Sequence, residues 1–250
     1  MSALRPETGV PSPSSPPELD AALAAGGLVA AKGTTPQAGP GEEDELIRVR
    51  WVMPEGFFEL PMEADTIEEL ADQMMDLSRR VLPEGSADMQ LEWAIMCMAS
   101  YDMLYEAGVQ YSAFVMTEVD ETRCTAHVNV SLIDLVDDAL DRPAAAIAAA
   151  LRALELGEVQ EFRLPCGPAV SCVGTRQAVV DKSITPSGVD EPFWTSFIQV
   201  QVPLSNGTAV VLEMSTPTPE GWEVFSQMFA GVAKSLRLYD EVGRPVVMAG

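Results

Sequence analysis

The sequence predicts an α+β fold: a largely antiparallel sheet flanked by helices as an α/β/α sandwich, behind a disordered N-terminal tail. Three observations predict it. Segments of two-residue alternation are joined by short turn signals, Asp120-Glu121-Thr122-Arg123 and Ser205-Asn206-Gly207 among them, and hairpins make antiparallel neighbours. Segments with apolar residues at helical spacing are inserted between these hairpins rather than after every strand, which argues against a parallel βαβ sheet. Residues 1–41 are rich in Pro, Ala, Gly and Ser and carry too little apolar surface to offset the entropy of ordering.

The tail closes on the acidic run Glu42-Glu43-Asp44-Glu45, so it covers 1–45. Within it, Glu18 to Lys32 sets Asp20 ahead of an alanine- and leucine-containing run. That piece reads either as linker or as a transient helix that docks on a partner. A single domain spans 46–238, and 239–250 reads as a frayed end. Ile47, Val49, Trp51 and Met53 alternate as a strand, Pro54-Glu55-Gly56 turns the chain, and Phe57 to Met62 forms a second strand. Thr66-x-x-Glu69 is a capping box for a helix whose stripe is Ile67, Leu70, Ala71, Met74, Leu77 and Val81, ended by Pro83. The next helix, from about Ala87 to Ala107 with Gly108 as its stop, is apolar on more than one face. It must be buried on several sides or meet a partner.

Strands Val109–Val119 and Cys124–Leu135 follow; in the second, Ala126, Val128, Val130 and Leu132 face the core. Asp141-Arg142-Pro143 opens a third helix that ends at Gly157, and strands resume at Glu158–Leu164 and Ala169–Val180. The hairpin Trp194–Leu204 with Thr208–Thr216 fixes its own register. A two-residue Asn206-Gly207 turn would set Val200 against Glu213, whereas a three-residue loop pairs Val202 with Val210, Val200 with Leu212 and Ile198 with Met214. Only the latter keeps the apolar set on one face, with Gly207 left-handed. Thr218-Pro219-Glu220 supplies an N-cap, a first-turn proline and an acid for the last helix, whose stripe runs Trp222, Phe225, Met228, Phe229, Val232, Leu236.

The net charge of −23 repels nucleic acid and anionic membranes, which bind clustered Lys and Arg. No signal peptide and no membrane-spanning segment is legible, so a cytoplasmic location is expected, with Cys97, Cys124, Cys166 and Cys172 reduced.

Met53-Pro54-Glu55-Gly56-Phe57, the antiparallel meander after the helices, and the stretch from Thr216-Pro217-Thr218-Pro219-Glu220-Gly221-Trp222 to Ser235-Leu236-Arg237 together resemble the PsbP-like α/β/α sandwich. That family includes photosystem extrinsic proteins, a Ran-binding factor and small actinobacterial proteins. The resemblance covers roughly residues 46–238. It implies a non-enzymatic accessory or binding role and transfers no functional residue.

The residues themselves offer few sites. His127 is the single histidine and falls on a polar strand face beside Thr125 and Asn129, without a G-x-S-x-G motif. Cys166 and Cys172 flank a turn, either as a thiol or disulfide pair across a hairpin or as two small core residues. Asp134, Asp137, Asp138 and Asp141 cluster without EF-hand spacing and read as a solvated loop. No nucleotide-binding motif is present. Thirteen methionines include Met74, Met75, Met89, Met96, Met98 and Met103 on two neighbouring helices, either as core filling or as an adaptable binding face. No catalytic, cofactor or metal residue is expected. The expected role is a non-catalytic accessory protein that binds a protein partner or itself, without nucleic acid or membrane. The alternatives are a structural subunit of a larger assembly and a thiol-dependent small-molecule site at Cys166 and Cys172.

Overall fold

The computed structural model describes residues 28–32, 46–136, 141–180, 182, 185 and 187–248. Its frame is a seven-stranded sheet in the order β3-β4-β5-β9-β8-β7-β6, with every pairing antiparallel. These strands are β3 (Phe58–Leu60), β4 (Val109–Val119), β5 (Thr122–Asp134), β6 (Gly157–Leu164), β7 (Gly167–Val180), β8 (Glu191–Pro203) and β9 (Thr208–Thr216). A four-stranded sheet, ordered β1-β2-β10-β11, is formed by β1 (Leu28–Lys32), β2 (Leu46–Arg50), β10 (Arg237–Tyr239) and β11 (Pro245–Val246). The described helices are α1 (Ile67–Val81), α2 (Ala87–Glu106), α3 (Pro143–Ala153) and α4 (Trp222–Ser235).

Side-chain alternation assigns the two faces of the large sheet. Val128, Val130, Val200, Val202, Val210 and Leu212 point to one face, where they share a core with Phe225, Phe229 and Val232 of α4 and with Ile47, Val49 and Leu238 of the small sheet. Phe114 and Phe197 point to the other. There α1 covers the β3–β4 end through Leu70, Met74 and Leu77 and α2 through Ala94, and α3 covers β7 and β8 through Ile147, Ala148 and Leu151. Helices therefore flank the antiparallel sheet on both faces, as the α+β reading requires.

The hairpin register is the one that keeps the apolar face intact: Val202 opposite Val210, Val200 opposite Leu212, Ile198 opposite Met214. Leu204 N–H donates to the Thr208 carbonyl at 2.8 Å, which closes the three-residue loop, and Gly207 has φ +79°. Thr66 caps α1 through the Glu69 N–H at 3.1 Å. The Asp65 N–H in turn donates to the Glu69 carboxylate at 3.1 Å, so the reciprocal side of the box is shifted by one residue from the ideal motif.

Within the stretch 1–45, Leu28–Lys32 is paired as a strand with β2, Leu28 against Arg50 through Lys32 against Leu46; the rest of 1–45 lies outside the described residues. Three expectations are corrected. The end of the chain is not frayed over 239–248. Tyr239 pairs with Pro245, Asp240 accepts from the Arg244 N–H at 2.8 Å, and Met248 is buried with its N–H on the Cys166 carbonyl at 2.8 Å. Ile67 is 61% exposed rather than part of the α1 stripe, because it sits in the first turn ahead of the packed segment. Thr218 does not cap α4: its hydroxyl accepts from the Thr125 N–H at 3.1 Å and lies 2.9 Å from the Thr216 hydroxyl. The proline turn Pro219–Gly221 is a 3₁₀ turn, and the α-helix starts at Trp222.

Candidate functional site

Cys166 and Cys172 do not face each other. The β6–β7 turn sets Leu164 against Gly167 and Val159 against Cys172, so Cys172 has Val159, not Cys166, across the hairpin. Cys166 packs into the core shared with α4, whereas Cys172 packs under α3 on the opposite face. Both are buried free thiols. Burial pushes the Cys166 thiol up to about 11, and burial together with the Glu213 carboxylate raises that of Cys172. A raised thiol pKa is the reverse of what a reactive cysteine needs. The thiol-site alternative therefore has neither the geometry nor the electrostatics it requires.

His127 lies where the alternation places it, opposite Phe114 on β4 and Ser215 on β9. Its ring is 5.9 Å from the Phe114 ring. The residue is exposed, while the protein atoms around its ring, Phe114 among them, lower its pKa by desolvation. Along the same face runs a chain of polar contacts that sequence reasoning missed. Arg176 binds Glu213 with both guanidinium nitrogens and lies over the Phe197 ring at 5.1 Å. Gln199 donates to Glu213 at 3.3 Å and Gln201 to Gln199 at 3.0 Å; farther along, Ser112 donates to Asn129 at 2.8 Å. These groups satisfy one another, as partly buried polar groups must. Only the alternation of Gln199 and Gln201 with Val200 and Val202 hinted at them. Asp137 and Asp138 lie outside the described residues, and no group of three or more metal-binding side chains occurs among the described ones.

The feature that stands out is α2. Its inner side packs Trp93, Ala94, Cys97, Met98, Tyr101 and Leu104 against α1 and the sheet, with the Trp93 ring 5.6 Å from Phe114. Ser86 caps it through the Met89 N–H at 3.2 Å. Ala94 is its single buried residue. Leu91, Ile95, Met96, Met103, Met89 and Tyr105 are exposed, from 49% for Leu91 to 68% for Met103. The six methionines singled out from sequence divide accordingly: Met74 is in the core, Met75 and Met98 are half-buried, and Met89, Met96 and Met103 face solvent. Scattered exposed apolar residues need no explanation, but six on one helix do. At the C-terminal end of α2 lies an open depression of about 330 Å³ lined by Met62, Glu63, Tyr105, Val109 and Gln110. Among the described residues, no helix is long and apolar enough to cross a membrane.

No protein-family model matches the chain, and no curated protein matches its sequence. Among solved structures it is similar to LpqN of Mycobacterium tuberculosis, described as involved in cell envelope biogenesis. The two share 12% identity over 86% of this chain and 94% of that chain, with a TM-score of 0.37. That likeness is too slight to define fold or role, and it neither strengthens nor opposes the PsbP-like resemblance.

Proposed function

We propose that the protein is a non-catalytic accessory protein that binds a protein partner through the outward face of α2. The observation that carries this reading is the uncovered apolar set Leu91, Ile95, Met96 and Met103 on a helix that is buried along one side only. Sequence alone left two outcomes for a helix apolar all round, burial or a partner, and the monomer does not bury it. Methionine and leucine on an exposed helix face suit helix-in-groove or helix-on-helix recognition, where i, i+4 anchors enter a complementary surface. Removing such a face from water contributes about 25 cal/mol per Å² of apolar area, before the costs of association.

The test uses the full chain as bait in cells of its own source, beside an Ile95→Glu/Met103→Glu variant, with quantitative mass spectrometry of what is retained. Both side chains point to solvent, so the variant folds, and circular dichroism and thermal melting check that it does. A protein held in stoichiometric amount by the native chain and lost from the variant is the expected result. Retention of identical proteins by both chains, or of none by either, overturns the reading.

A further inference from the structure

Resting on the reading of α2 as a docking face, we infer that its partner is a basic amphipathic helix, with an apolar stripe flanked by Lys or Arg. Leu91, Ile95, Ala99 and Met103 recur every fourth residue and are all exposed. They form a ridge about 18 Å long at 1.5 Å rise per residue, the length of three to four helical turns. In the rows beside the ridge, which also hold Met96, Met98 and Ser100, every charged residue is a carboxylate. By the 100° step of the helix, Asp88 and Glu92 lie beside its first half and Asp102 and Glu106 beside its second, all four exposed. Not one Lys, Arg or His occurs between Ala87 and Glu106.

A second feature points the same way. Asp102 and Glu106 stand in the last turns of α2, where the helix carbonyls already concentrate negative charge and a basic residue is the usual occupant. The helix therefore ends in unrelieved like charge, which a cationic side chain from outside would neutralise. The depression beside Tyr105 has Glu63 as its charged lining group, a place for such a side chain to rest against carboxylate and ring.

Other occupants fit less well. A second copy laid antiparallel on α2 sets Asp88 against Glu106 and Glu92 against Asp102, and a parallel copy sets each acid against itself. Like charges placed across an interface work against that pairing. The chain's own segment from Glu18 to Leu28 carries Glu18 and Asp20 and no basic residue, so it is no better matched.

The test titrates the full chain against three labelled 18-residue synthetic peptides by fluorescence anisotropy. One is an amphipathic helix with a leucine stripe and flanking lysines, one has glutamine for every lysine, and one is a scramble of the first that keeps its charge but breaks the stripe. The lysine-flanked amphipathic peptide is expected to bind, and to weaken as salt rises. The other two should bind about tenfold more weakly or worse, the combined effect of several exposed ion pairs. Glu92→Lys/Asp102→Lys should remove the preference for lysine without unfolding the chain. Equal binding of the glutamine peptide overturns the basic-partner inference and leaves the docking face standing. Equal binding of the scramble, or indifference to the charge reversal, means that the general acidity of the chain attracts the peptide, and also overturns it. Should no peptide bind while the cellular partner is still lost from the Ile95→Glu/Met103→Glu variant, the inference fails alone. If that partner is not lost, the underlying reading fails with it.

Discussion

Met248 clamps the β6–β7 turn, and cutting it away should change what a substitution at Gly167 costs. Gly167 has φ +142°, and a Cβ added there would lie 2.7 Å from the Met248 Cβ and 3.1 Å from its carbonyl oxygen. Ending the chain after Val246 removes a side chain that is 6% exposed and the hydrogen bond from its N–H to Cys166. Burial of a methionine contributes about 2–3 kcal/mol and the hydrogen bond about 1 kcal/mol, so the truncation should cost about 3–4 kcal/mol. Gly167→Ala in the full chain adds backbone strain of about 1–3 kcal/mol and overpacking of about 1–3 kcal/mol against atoms that are mostly backbone and cannot step aside. In the truncated chain the overpacking is gone and the strain alone remains. The two changes should therefore couple by about 1–3 kcal/mol in a double-mutant cycle. Urea unfolding followed by the fluorescence of the four tryptophans reads all four corners at constant m. Additivity within about 0.5 kcal/mol, or a truncated chain as stable as the full one, would refute the clamp.

Three further outcomes are expected. His127 has a lowered pKa in the folded chain, so the unfolded chain takes up its proton first. Stability should hold above about pH 6.5 and decline below it, and His127→Gln should flatten that decline; parallel melting curves at pH 7.5 and 5.5 for the two chains would count against the lowered pKa. Asp120 and Glu121 turn the β4–β5 hairpin with φ of 48° and 65°, the geometry of a type I′ turn made without glycine. Replacing them by Asn-Gly should gain about 1 kcal/mol, the left-handed strain removed less the entropy of glycine, and a lower urea midpoint would contradict this. The thiols should be inert in the native state, since Cys97 and Cys166 are pushed up to about 11 and Cys172 is raised. Labelling with a disulfide reagent should go to completion only in denaturant, and fast native reaction at Cys166 or Cys172 would revive the thiol site.

The parts of the fold legible in the sequence are those written in local pattern. The β8–β9 register followed from the requirement that Val200, Val202, Leu212 and Met214 share a face, and the α1 start from Thr66 and Glu69. What escaped was set by contacts far apart in the chain. Thr218 has every local mark of a helix cap, yet its hydroxyl meets Thr125, 93 residues earlier. Cys166 and Cys172 look like a pair because they stand six positions apart, but the turn comes at Pro165-Cys166 and leaves them on opposite faces. The C-terminal residues lack any periodic signal; a two-residue strand and one buried methionine hold them. The α2 surface was half legible. Its all-round apolar character marked it as unusual, but which side met solvent depended on where α1 and Phe114 lie.

The pairing of β1 with β2 bears on how the partner experiments are to be cut. β2 is bonded on one side to β10 and on the other to Leu28–Lys32. A chain shortened to begin at residue 46, the boundary that composition recommends, strips one whole edge of the small sheet and presents its N–H and C=O groups to any extended segment in reach. Proteins caught on such bait would include strand-adders that owe nothing to α2. The first boundary that leaves β2 doubly bonded lies ahead of Leu28, and bait trimmed there keeps an acquired stickiness from passing as biological recognition.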